Sequence, residues 1–319
     1  MTEDGLPRGT TGWRGSITER GTTMRSYYGR PIVKEPVWQA EIPLYFFTGG
    51  IAGASSMLHG LARVTRNDPL AKTALYVGAA ADLVSPLLLI SDLGRPERFL
   101  NMFRMFKVTS PMSVGSWILG ISGSASNTAA ALELLGVLRP VKWAAELVSC
   151  VTGPPLATYT GALVANTAIP VWSEARDELP WLFGASATAS AGAAAAMFTP
   201  LEAAGPARRA AIGGVVAELG LMQAMERKLG FVGEVYRTGE AGRFKKITKA
   251  CTLAGAGLLA WKGRRSRAAA ATGGALVLAG ELALRWSVFK AGFQSARDPR
   301  YTVLPQRERV AKRVAAQSD

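Results

Sequence analysis

The chain has 319 residues, 49% of them hydrophobic and only 19% charged, whereas soluble proteins carry about 25% charge, so lipid is the expected solvent. The formal net charge of +14 does not point to nucleic acid, because Lys and Arg fall between apolar runs and in the tails, where they orient a chain against anionic lipid. Two cysteines and one histidine exclude a four-Cys iron–sulfur cluster, a Cys-based zinc site and a bis-His haem within this chain.

Residues 1–40 form a basic N-terminal tail carrying Arg8, Arg14, Arg20, Arg25, Arg30 and Lys34. It lacks the apolar core of about 7–15 residues that a secretory signal needs, so this end is expected to be retained. Apolar windows of near-spanning length follow at 42–64, 72–91, 113–135, 144–169, 180–199, 210–227, 246–262 and 267–288. About 17–25 apolar residues suffice to cross a bilayer. The expected fold is therefore an all-α membrane protein with eight transmembrane helices over 41–288, arranged as two four-helix bundles, followed by a basic C-terminal tail over 289–319. The fifth, seventh and eighth windows are rich in Ala and Gly, as in "GASATASAGAAAAM", a composition that lets helix backbones approach closely in lipid.

An even number of spans leaves both termini on one side of the membrane. That side collects about 25 Lys and Arg, against about 11 on the other, so both termini are expected in the cytoplasm and the protein in the cell membrane. The acidic connection "WSEARDELPW", 172–181, is the one cytoplasmic loop without a positive excess.

Ionisable residues inside the spans each ask for a reason, since one costs about 2.5–3.5 kcal/mol at the bilayer centre on insertion scales. Asp82 lies ten residues before Asp92, about 15 Å along a helix, which places it near the midplane. It is either tied to a Ser, Thr or backbone group or part of a proton relay. Glu218 in the sixth span is deep, while Glu226 beside Arg227 and Lys228 reads as interfacial. Glu281 and Arg285, at i and i+4, are spaced to pair on their own helix. Glu41 and Tyr45 share a face at the start of the first span. His59 and Arg63 stand at its far end, where His59 reads as an interfacial structural residue. In the fourth span, Pro154 and Pro155 are expected to loosen the backbone beside Tyr159.

Between the second and third spans, "DLGRPERFLNMFRMF" passes from apolar sequence straight into Asp92, Arg95, Glu97 and Arg98. Asp92 and Arg95 are placed to pair and to shape a loop over the helix ends. The rest reads as an interfacial amphipathic stretch showing Phe99, Met102, Phe103 and Phe106 to the membrane.

Four blocks in order, "SYYGRPIVKEPVWQAEIPLYFFTGGIAGASS", "DLGRPERFLNMFRMFKVTSPMSVGSW", "YTGALVANTAIPVW" and "ELALRWSVFKAGFQSARDPRYT", carry a resemblance over about residues 26–303. The chain resembles the NrfD family, the haem-free integral membrane subunits typified by the polysulfide reductase membrane subunit. The resemblance implies an eight-helix subunit that binds a quinone, usually menaquinone, near a ferredoxin-like iron–sulfur subunit. That subunit in turn serves a catalytic redox subunit, such as a molybdenum or tungsten pterin enzyme. Carried over position by position, the quinone site falls on Glu41, Tyr45 and Tyr159. The first two stand where members often have Asn and His, and both can still bond a quinone oxygen.

The expected function is a quinone-reactive membrane anchor of a redox complex. Asp92, Arg95 and Arg98 form the loop that closes the site or receives the partner, and Asp82, Glu218 and Glu281 form a proton path. The competing reading is a secondary transporter or channel that uses these same intramembrane carboxylates as coupling sites.

Overall fold

The computed structural model describes residues 31–93 and 95–318. The basic residues Arg8 to Arg30, the start of the first resemblance block and Gly94 lie outside them. Among the described residues the fold is helical, with no strand. The first half runs α1 (Glu41–Val64), α2 (Asp68–Asp92), a short 3-10 helix (Pro96–Phe103), α3 (Pro111–Leu135) and α4 (Arg139–Ala165). After the short α5 (Pro170–Glu174) come α6 (Leu179–Phe198), α7 (Gly205–Leu229), a second 3-10 helix (Val232–Arg237), α8 (Gly239–Trp261), α9 (Arg267–Arg297) and α10 (Arg300–Ser318).

The eight apolar windows fall in order on α1 to α4 and α6 to α9. Four of these helices, α2, α4, α6 and α9, are long and apolar enough to cross a membrane. Gly, Ser and Thr in α1 and α3, and the charged ends of α7 and α8, dilute the hydropathy of the other four. The last long helix continues past the expected limit at 288 to Arg297, and much of the basic tail is itself helical in α10.

Local sequence explains where the helices start. Pro stands in the first turn of α2, α3, α4, α6 and α7, where its missing N–H costs no hydrogen bond. Asn67, Ser110 and Ser266 cap α2, α3 and α9 by accepting N–H groups of Leu70, Ser113 and Ala269. The paired prolines of α4 behave differently from expectation. Helix α4 runs unbroken through Pro154 and Pro155, because neighbouring turns and tight packing hold the backbone where two hydrogen bonds are lost.

Helices α1, α2, α3 and α4 close one ring of neighbours, and α6, α7, α8 and α9 close a second. The rings join where α1 and α4 pack on α6 and α1 packs on α9. The Ala-rich α6 therefore sits at the centre of the molecule, which accounts for its small residues. Helices α1 and α4 cross at Gly53 and Gly153; a Cβ on Gly53 would stand 2.5 Å from the Gly153 carbonyl oxygen. Lipid offers no hydrophobic drive between helices, so this close packing and interhelical polar bonds averaging about 0.6 kcal/mol carry the association.

The acidic connection is neutralised by its own side of the molecule. Lys228 pairs with Asp177 at 2.8 Å and Glu178 at 2.6 Å, and Arg309 pairs with Glu174.

Candidate functional site

A cavity of about 230 Å³ opens at the end of the α1–α4 ring that holds the start of α1 and the end of α2. Helix α1 and the segment before it supply Trp38, Ile42, Tyr45 and Phe46, and α2 supplies Leu89 and Asp92. Met102 comes from the 3-10 helix, Met112 and Ser116 from α3, and Tyr159 and Leu163 from α4. The wall is mainly apolar, with two phenols, one hydroxyl and one carboxylate among it.

Each polar side chain has a local reason for its position. Tyr45 is 2% exposed and packs on Gly49, one turn further along α1. Tyr159 leans on Gly115 of α3, the only kind of residue that admits its ring there. Ser116 donates to the Met112 carbonyl at 2.9 Å and meets the Met102 sulfur at 3.6 Å, which seats the 3-10 helix over the cavity.

The mouth is held by the segment ahead of α1. Asp92 Oδ1 accepts the Gln39 backbone N–H at 3.1 Å, and Trp38 stacks on the buried Trp172 with ring centres 5.6 Å apart. Upstream, both carboxylate oxygens of Glu35 receive Arg297 nitrogens at 3.0 Å. These bonds hold the Glu35 carboxyl below the usual carboxylate range.

Of the three residues expected at the quinone site, Tyr45 and Tyr159 are brought together on this cavity. Glu41 stands one turn before Tyr45 without lining it, and its Oε2 is buried with no hydrogen-bond partner among the described residues. Asp92 lines the cavity, but the expected Asp92–Arg95 pair does not form among the described residues: the backbone N–H of Gln39 takes the carboxylate instead. Arg95 and Arg98 are exposed and do not line the cavity. The aromatic stretch after them turns inward in part, with Phe103 and Phe106 edge-on to Trp117 at 5.8 and 6.2 Å.

The deep carboxylates occupy two separate places. Asp82 is 1% exposed and accepts the Ser126 hydroxyl of α3 at 2.5 Å, leaving Oδ1 unpartnered. Glu218 and Glu281 face one another between α7 and α9, in the other ring. The i, i+4 spacing of Glu281 and Arg285 does not produce an ion pair. Glu281 instead accepts the Ser186 hydroxyl at 2.6 Å, and Arg285 donates to the Phe183 carbonyl at 3.1 Å over the Phe183 ring. Glu226 is buried and paired with Lys245 at 2.6 Å. His59 is buried too, at 3% exposure, against Glu146.

Sequence reasoning missed Trp38, Met102 and Ser116 as cavity residues. All three lie within the first two resemblance blocks, so their clustering near the helix ends was the available signal. Among the described residues there is no group of His, Cys, Asp and Glu side chains arranged to hold a metal ion.

The family model described as polysulphide reductase, NrfD, matches residues 32–232, more than half of the chain. A search of curated proteins finds no match. The matched span takes in every residue of the cavity.

Proposed function

Because the chain belongs to the NrfD family, the quinone-interacting membrane subunits of polysulphide reductase-like redox complexes, we propose that this cavity is its quinone site. The observation that carries the reading is the convergence of Tyr45 from α1, Tyr159 from α4 and Asp92 from α2 on one apolar chamber. A planar ring with two opposed oxygens suits a wall of Trp38, Phe46 and aliphatic side chains with a few polar groups.

When bound, a quinone supplies two-electron, two-proton chemistry. The hydroxyls of Tyr45 and Tyr159 donate hydrogen bonds to its oxygens and orient the ring. Asp92, anchored through one oxygen by Gln39, keeps the other for a hydroxyl of the reduced form. Trp38 and Met102 cover the mouth and exclude water, and Glu41, half-exposed one turn away, trades protons with the aqueous face.

The finer assignments belong to the same proposal. Menaquinone is the quinone, and all eight long helices span the membrane. Both termini lie in the cytoplasm, and the exposed Arg95, Glu97 and Arg98 receive a ferredoxin-like iron–sulfur subunit that relays electrons from a catalytic redox subunit. Asp82 serves as a proton-carrying group behind the site. A transporter would need its coupling carboxylates gathered at one cavity, and the division of Asp82 from Glu218 and Glu281 between two helix rings weighs against that reading.

Binding of a short-chain menaquinone analogue to the purified complex, read by quenching of tryptophan fluorescence, tests the site. Tyr45→Phe should weaken it about 5- to 150-fold, the cost of an unmade hydrogen bond to a buried oxygen. Wild-type affinity in both Tyr45→Phe and Tyr159→Phe would place the quinone elsewhere.

A further inference from the structure

Behind the cavity, polar side chains follow one another a helix turn at a time through the α1–α4 ring. On α1 the face that begins with Tyr45 continues through Thr48, Ser55, Ser56 and His59, the i, i+3, i+4 positions of one stripe. Thr48 meets the Ser85 hydroxyl of α2 at 2.8 Å. One turn further along α2 is Asp82 with Ser126 at 2.5 Å. Gly78, the next turn, admits Ser55: a Cβ at 78 would stand 3.2 Å from that of Ser55. Then Ser149 of α4 donates to Ser56 at 2.7 Å, and one turn beyond both lie His59 and Glu146.

From Tyr45 to His59 is fourteen residues, about 21 Å of helix. Ser55, Ser85, Asp82, Ser126, Ser56, Ser149, His59 and Glu146 are each no more than 8% exposed. Hydroxyls that only bond their own helix would leave nothing unmet. Here Asp82 Oδ1, the Ser55 hydroxyl and, one turn before Ser126 on α3, the Ser122 hydroxyl have no partner among the described residues. Buried polar groups of this kind are ordinarily satisfied by internal water. Pro86 adds another acceptor, because without its N–H the Asp82 carbonyl has no helical partner.

At the far end of the file an imidazole faces a carboxylate. The Nδ1 of His59 lies 2.8 Å from the Ala71 carbonyl oxygen, which can only accept, so Nδ1 carries hydrogen. The other nitrogen, Nε2, faces Glu146 Oε1 at 3.5 Å. Nε2 has no hydrogen-bond partner among the described residues, and an imidazole and a carboxylate so placed can pass a proton between them through one water. The groups around this pair come from all four helices: Arg63 on α1, Asp68 and Lys72 on α2, Glu133 on α3 and Lys142 on α4. Arg63, Lys72 and Lys142 balance Asp68, Glu133 and Glu146, and Asp68 and Lys72 are largely exposed. The pair is thus one shell from water on the face opposite the cavity.

We infer that His59 and Glu146 form the outer mouth of a proton file that connects that face to the cavity through Ser56 and Ser149, Asp82 and Ser126, and Thr48 and Ser85. The inference rests on the quinone reading of the cavity. In the reducing direction, two electrons reach the quinone from the iron–sulfur partner. Full reduction of a bound quinone would also take up two protons, one for each oxygen; each would enter from the far aqueous phase at Glu146 and displace one along the hydroxyls and water to the cavity. In the oxidising direction both protons would leave by the same route.

The test uses the whole complex in liposomes, with C-termini outward by protease accessibility and a pH dye in the lumen. In the wild type, turnover with a menaquinone analogue moves lumen protons, and its rate responds to lumen pH. Glu146→Gln and His59→Gln should cut lumen proton movement about a hundredfold, the lower end for a positioned proton-transfer group. Glu146→Asp should restore part of it, and analogue binding should stay at the wild-type value in all three. Unchanged lumen proton movement in assembled Glu146→Gln and His59→Gln complexes, with analogue binding intact and sensitive to Tyr159→Phe, overturns the file alone. Loss of the Tyr159→Phe effect on binding overturns the quinone reading instead. Should the variants fail to assemble, the wild type decides: turnover indifferent to lumen pH rejects the file.

Discussion

Tyr159 on α4 lies against Gly115 on α3 so closely that a Cβ at position 115 would stand 2.1 Å from its Cε2. No side chain at 115 can coexist with the ring where it is, so the glycine sets the position of the phenol. Gly115→Ala should therefore imitate Tyr159→Phe, weakening binding of a menaquinone analogue by about 1–3 kcal/mol while the helices stay folded. The two changes should be non-additive, because both act on one hydroxyl. Independent, summed effects in a double-substitution cycle would show that Gly115 acts elsewhere.

Asp82→Asn keeps the shape of the carboxyl and an oxygen for Ser126, but cannot carry a proton. Quinone-coupled turnover should fall by about a hundredfold or more, while oxidation of the donor by an artificial dye that takes electrons from the partner stays at the wild-type rate. Equal turnover in the variant and the wild type would reduce Asp82 to a packing residue held by Ser126.

The crossing of α1 and α4 should be the most size-sensitive contact in the first ring. Gly53→Ala puts a methyl 2.5 Å from the Gly153 carbonyl oxygen and 2.7 Å from the Ala157 nitrogen, both backbone atoms that can move only with their helix. Overpacking of this kind costs about 1–3 kcal/mol. The melting temperature of the purified complex should drop accordingly, whereas Gly213→Ala in the interior of α7, where a Cβ meets nothing within 4 Å and Ala is the better helix former, should not lower it.

The bond of Glu35 to Arg297 ties the segment ahead of α1 to the end of α9. Because the Glu35 carboxyl is held below its ordinary value by Arg297, the tether is intact above the unfolded value of about 4.3 and is lost as pH falls through the folded one. An exposed pair of this kind contributes about 0–1 kcal/mol, so overall stability should change little. Limited proteolysis near Val37 should rise in acid and in Glu35→Gln at neutral pH, with the acid effect absent from the variant. Cleavage that is the same in both proteins at all pH values would rule the tether out.

A cysteine placed at Arg313 reports the sidedness that the charge asymmetry leads one to expect. In intact cells it should resist an impermeant thiol reagent and react after lysis. Labelling in intact cells would put the C-terminus, and the exposed Arg95 and Arg98, outside.

Several features of this protein were settled by local sequence. The apolar windows correspond to helices because an apolar chain in lipid must satisfy its own backbone, and the helix starts at Asn67, Ser110 and Ser266, like the end of α3 at the left-handed Gly136, act through neighbouring residues only. That Asp82, Glu218 and Glu281 are buried was likewise readable, since each sits several turns from the nearest helix end. Partner choice was decided only in three dimensions. Spacing alone pointed Glu281 to Arg285 and Asp92 to Arg95, but hydrogen bonds from Ser186 and Gln39, on segments distant in sequence, took those carboxylates. Pro154 and Pro155 looked like a break, and the packing of Gly153 against Gly53 kept the helix whole. His59 read from sequence only as an interfacial structural residue, and nothing there linked it to Glu146, 87 positions away; they meet because α1 and α4 run in opposite directions at a crossing of two glycines, and that places the far end of one beside the near end of the other.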